Sequence, residues 1–118
     1  MRSWRYLIRA AVGAVRDQVA GLSGSLPHWT LETLTRKAGM GRSAFIERFG
    51  AVVGETPLRY LTRWRIQLAK RLLADSALSL EQIAERVGYD SAAAFSRVFT
   101  KTARVSPGLY RRNVQRAA

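Results

Sequence analysis

Positive charge is the feature of this 118-residue sequence with the clearest chemical consequence. Lysine and arginine together number 20, and aspartate and glutamate 8, so the formal net charge is +12 at pH 7. An excess of this size says little about the fold, but it favours a polyanion as the binding partner. Nucleic acid is the first candidate partner, and an anionic membrane surface is the second.

Residue types that carry out catalysis or bind metals are scarce. The sequence has no cysteine, which excludes disulfides, thiolate metal sites and thiol catalysis. Its one histidine, His28, lies beside Pro27 without a cysteine or carboxylate cluster, so we expect it to be a surface residue. The sequence also lacks a pair of carboxylates that would indicate acid–base catalysis. The sequence therefore predicts a binding protein that is not an enzyme, with no metal, no cofactor and no evident small-molecule ligand.

A long basic helix is predicted in the middle of the chain, over residues 56–75. It begins with Thr56, a capping residue, and Pro57 at the first helical position, where helices tolerate proline. Apolar residues then recur at helical spacing for about five turns, with basic residues on the other faces. The apolar positions are Leu58, Leu61, Trp64 or the stem of Arg65, Leu68, Leu72 and Leu73, and the basic ones are Arg59, Arg63, Lys70 and Arg71.

The rest of the chain also follows helical spacing, and no stretch alternates as a strand would, so the predicted fold class is all-α. Glycine-containing turns at residues 39–41 and 88–90 divide each flank of the central helix into two short helices. A last helical turn is expected to end at Tyr110. The predicted segments are an N-terminal amphipathic helix (1–21), a linker (22–30), a first helix-turn-helix (31–55), the connecting helix (56–75), a second helix-turn-helix (76–112) and a basic tail (113–118).

The two flanks of the connecting helix are copies of each other. The offset is 49 residues from Leu31 to Leu80 and 50 from Phe45 to Phe95, so the second turn is one residue longer. Each copy has the helix-turn-helix arrangement, in which the second helix can enter a major groove. In so basic a chain this pattern favours double-stranded DNA as the partner; the alternative is that paired helices only build a small core. Further matched pairs are Leu34 with Ile83, Gly39 with Gly88, Phe49 with Phe99, Pro57 with Pro107 and Tyr60 with Tyr110.

These segments resemble the AraC/XylS-type transcriptional regulators. The family patterns are LAxxAGMSxxxFxRxF, the helix R-x-R-x-x-x-A-x-x-LL, and IAxxVGYxSxxxFxRxFxxxxGxSPxxYR. Here they read LTRKAGMGRSAFIERF, RWRIQLAKRLL and IAERVGYDSAAAFSRVFTKTARVSPGLYRR. The resemblance covers residues 29–112. It implies two helix-turn-helix subdomains, held by the connecting helix, that read successive major grooves on one face of DNA.

The resemblance also assigns residues to the DNA. Arg42 and Arg97 are the best candidates for base readers, because arginine to guanine is the commonest specific contact. Glu47 either accepts a hydrogen bond from cytosine or pairs with a neighbouring arginine, whereas Ala92 and Ala93 offer only apolar contact. The implied base-contacting residues are Arg42, Ser43, Ile46 and Glu47 in the first recognition helix and Ala92, Ala93, Ser96 and Arg97 in the second. The phosphate candidates are Arg63, Arg65, Lys101 and Arg111.

Three residues depart from the family pattern. Gly41 stands where a capping serine is usual, so the first recognition helix should lose some stability. Arg104 replaces a glycine at a position that is expected to have a positive φ. Thr35 replaces a small alanine between the two helices of the first unit.

The N-terminal segment and the biological setting leave alternatives open. Residues 1–21 do not closely resemble the family; they either brace the first unit or form an amphipathic surface segment that touches phosphates, a membrane or a partner. We expect a cytoplasmic, nucleoid-associated monomer, because one chain carries both reading heads, with RNA polymerase as a further candidate partner. The chain is either a stand-alone regulator or the DNA-binding fragment of a longer ligand-sensing one. A membrane-surface or non-specific polyanion binder is the alternative from a different class.

Overall fold

The computed structural model describes residues 3–20 and 29–117, and in these ranges the chain is helical throughout, apart from short connections. The all-α prediction is therefore confirmed for the described residues. The predicted linker, as far as residue 28, and His28 itself lie outside them. The helices are α1 (Trp4–Ala20), α2 (Leu31–Ala38), α3 (Arg42–Val53), α4 (Pro57–Asp75), α5 (Leu80–Val87), α6 (Ala92–Ala103) and α7 (Pro107–Ala117).

Short polar side chains begin the helices of the two units, with one exception. Thr30 and Ser79 form capping boxes at the start of α2 and α5, and the Ser91 hydroxyl accepts a hydrogen bond from the Ala94 amide (3.0 Å) at the start of α6. The corresponding residue of α3 is Gly41, which has no side chain to satisfy a free amide. The first recognition helix thus lacks a stabilising contact that the second one has.

The two helix-turn-helix units close with the turn chemistry that the repeat predicts. Gly39 (φ 68°) ends α2 and Gly88 (φ 95°) ends α5, each in the left-handed conformation that side chains disfavour. Three residues separate α2 from α3 and four separate α5 from α6, so the second turn is one residue longer, as expected. Thr35 is accommodated in the first unit because its hydroxyl donates to the Glu32 carbonyl (2.7 Å).

Helix α4 belongs to both units. Its first turns close the first unit, where the Tyr60 ring lies 5.4 Å from the Phe49 ring, centroid to centroid. Its later turns pack extensively along α5 and α7, with Ile66, Ala69 and Leu73 fully buried. One unbroken helix therefore fixes how the two units sit relative to each other.

Helix α1 braces the first unit. It packs on α2, α3 and α4, and Ile8, Ala11 and Val15 are wholly buried. The Tyr60 hydroxyl donates a hydrogen bond to the Val12 carbonyl (3.0 Å), which ties α1 to α4. The apolar residues Ile8, Ala11 and Val15 of α1 therefore face the protein core. Among residues 3–20 and 29–117, no helix combines the length and apolarity needed to cross a bilayer.

The brace is itself part of the repeat, which the sequence comparison missed. The buried residues Ile8, Ala11 and Val15 of α1 have the same spacing as Ile66, Ala69 and Leu73 of α4. In both helices a branched residue is followed by alanine three positions later and by a second branched residue four positions after the alanine. This spacing is visible in the sequence, but the offset between the two helices is 58 residues (Ile8 to Ile66), whereas the rest of the repeat has offsets of 49 and 50 residues. Each unit is thus a three-helix bundle with its own bracing helix.

The prediction for the C-terminus was wrong. Helix α7 continues to Ala117, so residues 113–117 form its last turns and are not a tail. No proline or glycine follows Gly108, and the residues present include good helix formers. Arg111 also anchors the helix: its guanidinium donates to the carbonyls of Leu73 (3.1 Å) and Ser76 (3.2 Å) at the end of α4.

Backbone strain at the end of α6 can be tested. Arg104 has a φ of 65°, the one positive value at a non-glycine residue in the described ranges, and its counterpart in the first unit is Gly54 (φ 85°). We expect Arg104→Gly to raise the free energy of unfolding by about 1 kcal/mol, because the left-handed conformation disfavours a Cβ atom. Urea denaturation measures the change.

The reciprocal variant is the control. Gly54→Arg should lower the free energy of unfolding by a similar amount, since no atom lies within 4 Å of the added Cβ and only the backbone conformation opposes it. Neutral results for both variants would contradict the assignment of strain.

Candidate nucleic-acid interface

The first recognition helix, α3, presents one side to solvent and one to the core. Phe45 and Phe49, one helical turn apart, are completely buried and set the orientation of the helix. All four residues that the sequence assigns to base contacts, Arg42, Ser43, Ile46 and Glu47, are exposed on the opposite side. Ile46 is a large apolar side chain and is 38% exposed.

The second recognition helix, α6, has the same orientation but exposes fewer polar and charged side chains among the predicted base-contacting residues. Phe95 and Phe99 are completely buried, while Ala93 and Arg97 are exposed. Ala92 and Ser96 are half-buried, so the protein leaves them less accessible than their counterparts in α3.

Matching aromatic contacts hold both recognition helices from behind. In the first unit Phe45 lies 5.5 Å from Phe49, which meets Tyr60 edge-on at 5.4 Å. In the second unit the equivalent distances are 5.7 Å and 5.6 Å, and the last contact is again edge-on. Aromatic pairs in this geometry add to the burial energy and restrict rotation of the rings. The two exposed faces are therefore supported in the same way.

Charged groups on the recognition helices have few partners within the protein. No carboxylate in the described residues pairs with Arg42, Arg97 or Lys101. Glu47 likewise pairs with no arginine there, so the second of its two predicted roles is absent from this structure. These side chains remain available to DNA.

Two of the predicted phosphate ligands make contacts within the protein. Arg65 donates a hydrogen bond to the Trp29 carbonyl, and its guanidinium lies 5.6 Å from the centre of the Tyr89 ring. Arg111 makes the two hydrogen bonds to the end of α4 described above.

Arg65 connects the two units. Trp29 precedes α2 of the first unit, whereas Tyr89 lies in the turn of the second. Burial raises the pKa of the Tyr89 hydroxyl, and the nearby Arg65 charge partly offsets this. Tyr89 consequently stays neutral at physiological pH. From one position on α4, Arg65 thus contacts a backbone carbonyl of the first unit and an aromatic ring of the second.

The remaining phosphate candidates differ in their surroundings. Lys101 is exposed in the last turn of α6, one turn beyond Arg97. Arg63 pairs with Glu55 (2.9 Å), and its guanidinium lies 5.4 Å from the centre of the Tyr60 ring.

Comparison with known proteins places this architecture in a family. The model of a family described as a helix-turn-helix domain matches residues 34–113. The transcriptional regulator AlkR of Acinetobacter baylyi is 46% identical over 83 residues, which are 70% of this chain and 27% of AlkR. The transcriptional activator RclR of Escherichia coli is 37% identical over 112 residues, 95% of this chain and 39% of RclR. The chain thus spans 27% to 39% of the length of these relatives.

Solved structures share the fold. The C-terminal domain of AraT, a response regulator from Geobacillus stearothermophilus, superposes with a TM-score of 0.78 at 29% identity, over 91% of this chain and 84% of that one. The DNA-binding domain of the global transcriptional factor AdpA, determined in complex with a target DNA, gives a TM-score of 0.76 at 29% identity, over 91% and 95%.

The connecting role of Arg65 leads to a stability prediction. We expect Arg65→Lys to lower the free energy of unfolding by about 1–2 kcal/mol, because a compact ammonium group cannot reach the Trp29 carbonyl and cover the Tyr89 ring together. Urea denaturation measures the loss. Arg59→Lys, on the exposed side of the same helix, is the matched control and should stay within about 0.5 kcal/mol of the parent protein. Equal effects of the two substitutions would contradict the bridging role.

Proposed function

This chain belongs to the AraC/XylS-type family of helix-turn-helix DNA-binding domains, and from that premise we propose that it is the DNA-reading part of a sequence-specific transcription regulator. The observation that carries the proposal is the pair of exposed recognition-helix faces, supported by equivalent aromatic contacts and joined through one rigid helix. The net charge of +12 adds the electrostatic attraction that DNA binding requires.

The dimensions suit a bipartite reader. Successive major grooves on one face of B-DNA lie about 34 Å apart. Helix α4 has 19 residues and is therefore about 28 Å long, and the protein measures 52 Å along its longest axis. One chain can present a recognition helix to each of two neighbouring grooves, so we infer that it binds as a monomer.

We propose unequal roles for the two units. Arg42 and Glu47 give the first unit a donor and an acceptor for base edges, with Ile46 and Ser43 between them. The second unit offers Arg97 for a base contact, whereas Ala92, Ala93 and the half-buried Ser96 add little discrimination. The first unit would then carry most of the sequence specificity.

Among the phosphate candidates, Lys101 is the one we retain. It is exposed and unpaired within the described residues, and it follows Arg97 by one helical turn. Arg65 and Arg111 are engaged with backbone carbonyls, and Arg63 pairs with Glu55, so we leave these three out of the proposed interface.

The length of the relatives favours a second version of this function. Because AlkR and RclR are much longer than the region they share with this chain, we propose as an alternative that it is the DNA-binding fragment of a longer, ligand-sensing regulator. In both versions it would act in the cytoplasm, on chromosomal DNA and together with RNA polymerase.

Selection of bound duplexes from a random library at about 0.15 M salt tests the function. We expect two conserved blocks with centres about 10 base pairs apart, one for each recognition helix. A single block would refute base reading by the second unit. No enrichment, together with a steep salt dependence, would overturn the proposal in favour of a non-specific polyanion binder.

Arg97→Ala tests base reading by the second unit. We expect affinity for the selected duplex to fall by about 1–3 kcal/mol and one base position to lose its preference, since a bidentate arginine–guanine contact would be lost. Repeating the selection with the variant measures both effects. Arg86→Ala removes an exposed arginine from α5 and should leave the preference unchanged. An unchanged preference with Arg97→Ala would exclude Arg97 as a base reader.

Lys101→Ala should behave differently. A phosphate contact carries no sequence information, so binding to all duplexes should weaken evenly, and the slope of log affinity against log salt should decrease by about 1. Titrations of selected and scrambled duplexes at several salt concentrations measure this slope. Lys37→Ala, in the last turn of α2, is the matched control. A loss confined to the selected duplex would assign Lys101 to base reading.

A further inference from the structure

The exposed side of α4 contains a cleft that is lined by none of the residues retained in the proposed DNA interface. Its volume is about 470 Å³, and Tyr110 of α7 forms one wall. Three cationic side chains line it, Arg63, Lys70 and Arg71, together with the aromatic ring of Trp64. None of its lining residues is acidic. The cleft therefore combines concentrated positive charge with aromatic surface.

The cleft lies behind the recognition helices. Ile66, Ala69 and Leu73 point α4 into the core, and at 3.6 residues per turn the cleft residues are centred roughly 120° around the helix from them, on its flank. In the second unit, Tyr110 contacts Phe99 on the inward side of α6, and the Lys70 ammonium lies 5.9 Å from the centre of the Tyr110 ring. Tyr110, one wall of the cleft, therefore packs on the inward side of α6, away from its groove-facing residues.

The charges in the cleft are only partly balanced within the protein. Arg63 has Glu55 as its partner, but no carboxylate of the described residues pairs with Lys70, whose ammonium lies over the face of the Tyr110 ring. The cationic groups that line the cleft are complementary in charge to an anionic ligand.

We propose that this cleft docks an acidic polypeptide segment of a partner protein while the recognition helices hold DNA. Carboxylates would pair with Lys70 and Arg71, and an apolar side chain would fit between the Trp64 and Tyr110 rings. A phosphate backbone would use the cations but not the aromatic surface between them. The lined part of α4, from Arg63 to Ala74, extends about 16 Å, enough for about three turns of a docked helix.

The binding experiment uses the chain saturated with its selected duplex, or with any duplex at low salt if selection gives none. The probe is a fluorescent peptide of about twelve residues, rich in glutamate with leucines at helical spacing, followed by anisotropy. We expect the peptide to bind the protein–DNA complex and the double substitution Lys70→Glu with Arg71→Glu to weaken this binding at least tenfold. Affinity for the duplex should stay within about twofold, which also shows that the variant is folded.

A matched pair of charges supplies the control. Arg36→Glu with Lys37→Glu reverses two adjacent basic residues at the end of α2 and should leave peptide binding unchanged. Three results would overturn the proposal: peptide binding unaffected by the α4 substitutions, equal losses from both double variants, or displacement of the peptide by duplex. A fall in duplex affinity with a shallower salt slope for the α4 variant would reassign the cleft to phosphate contact.

Discussion

The structure depends on the sharing of α4 between the two helix-turn-helix units, whose buried residues form one continuous hydrophobic cluster. Tyr60 closes the first unit against Phe49, and Ile66, Ala69 and Leu73 belong to the core of the second. Protein interiors are close-packed, so neither end of this helix can shift without disturbing the unit at that end. The relative position of the two recognition helices, which decides what spacing on DNA they could span, is consequently a packing property of α4.

Hydrogen bonds from arginine reinforce this arrangement where packing alone would leave backbone groups unsatisfied. Arg65 bonds the carbonyl of Trp29 ahead of the first unit, and Arg111 bonds the carbonyls of Leu73 and Ser76 at the end of α4. A guanidinium group suits these positions because it carries several donors in a fixed plane. Part of the large positive charge therefore serves the fold, and the net charge overstates the number of residues available to a polyanion.

The two units share a fold but have different local strengths. In the first unit, the recognition helix begins at Gly41 without a side-chain cap for its free amides, and it ends at Gly54, where glycine adopts the left-handed conformation without strain. The second has a capped start at Ser91 and a strained end at Arg104. Their exposed faces differ too, because the aromatic contacts behind each recognition helix constrain its inward side and leave the outward side free to vary. For this reason, the two units can share one fold and still present different side chains on the exposed faces of their recognition helices.

The sequence by itself determined the helices, the repeat and the inward faces of the recognition helices, because capping residues, glycine turns and the spacing of Phe45 with Phe49 act over a few positions. It could also indicate which recognition-helix residues point outward, since they lie opposite those phenylalanines. Tertiary structure alone decided that Arg65 and Arg111 bond to backbone carbonyls and that α1 braces the first unit. These outcomes rest on contacts between residues 35 to 48 positions apart, and a charged side chain reads the same in sequence whether it faces water or a buried carbonyl.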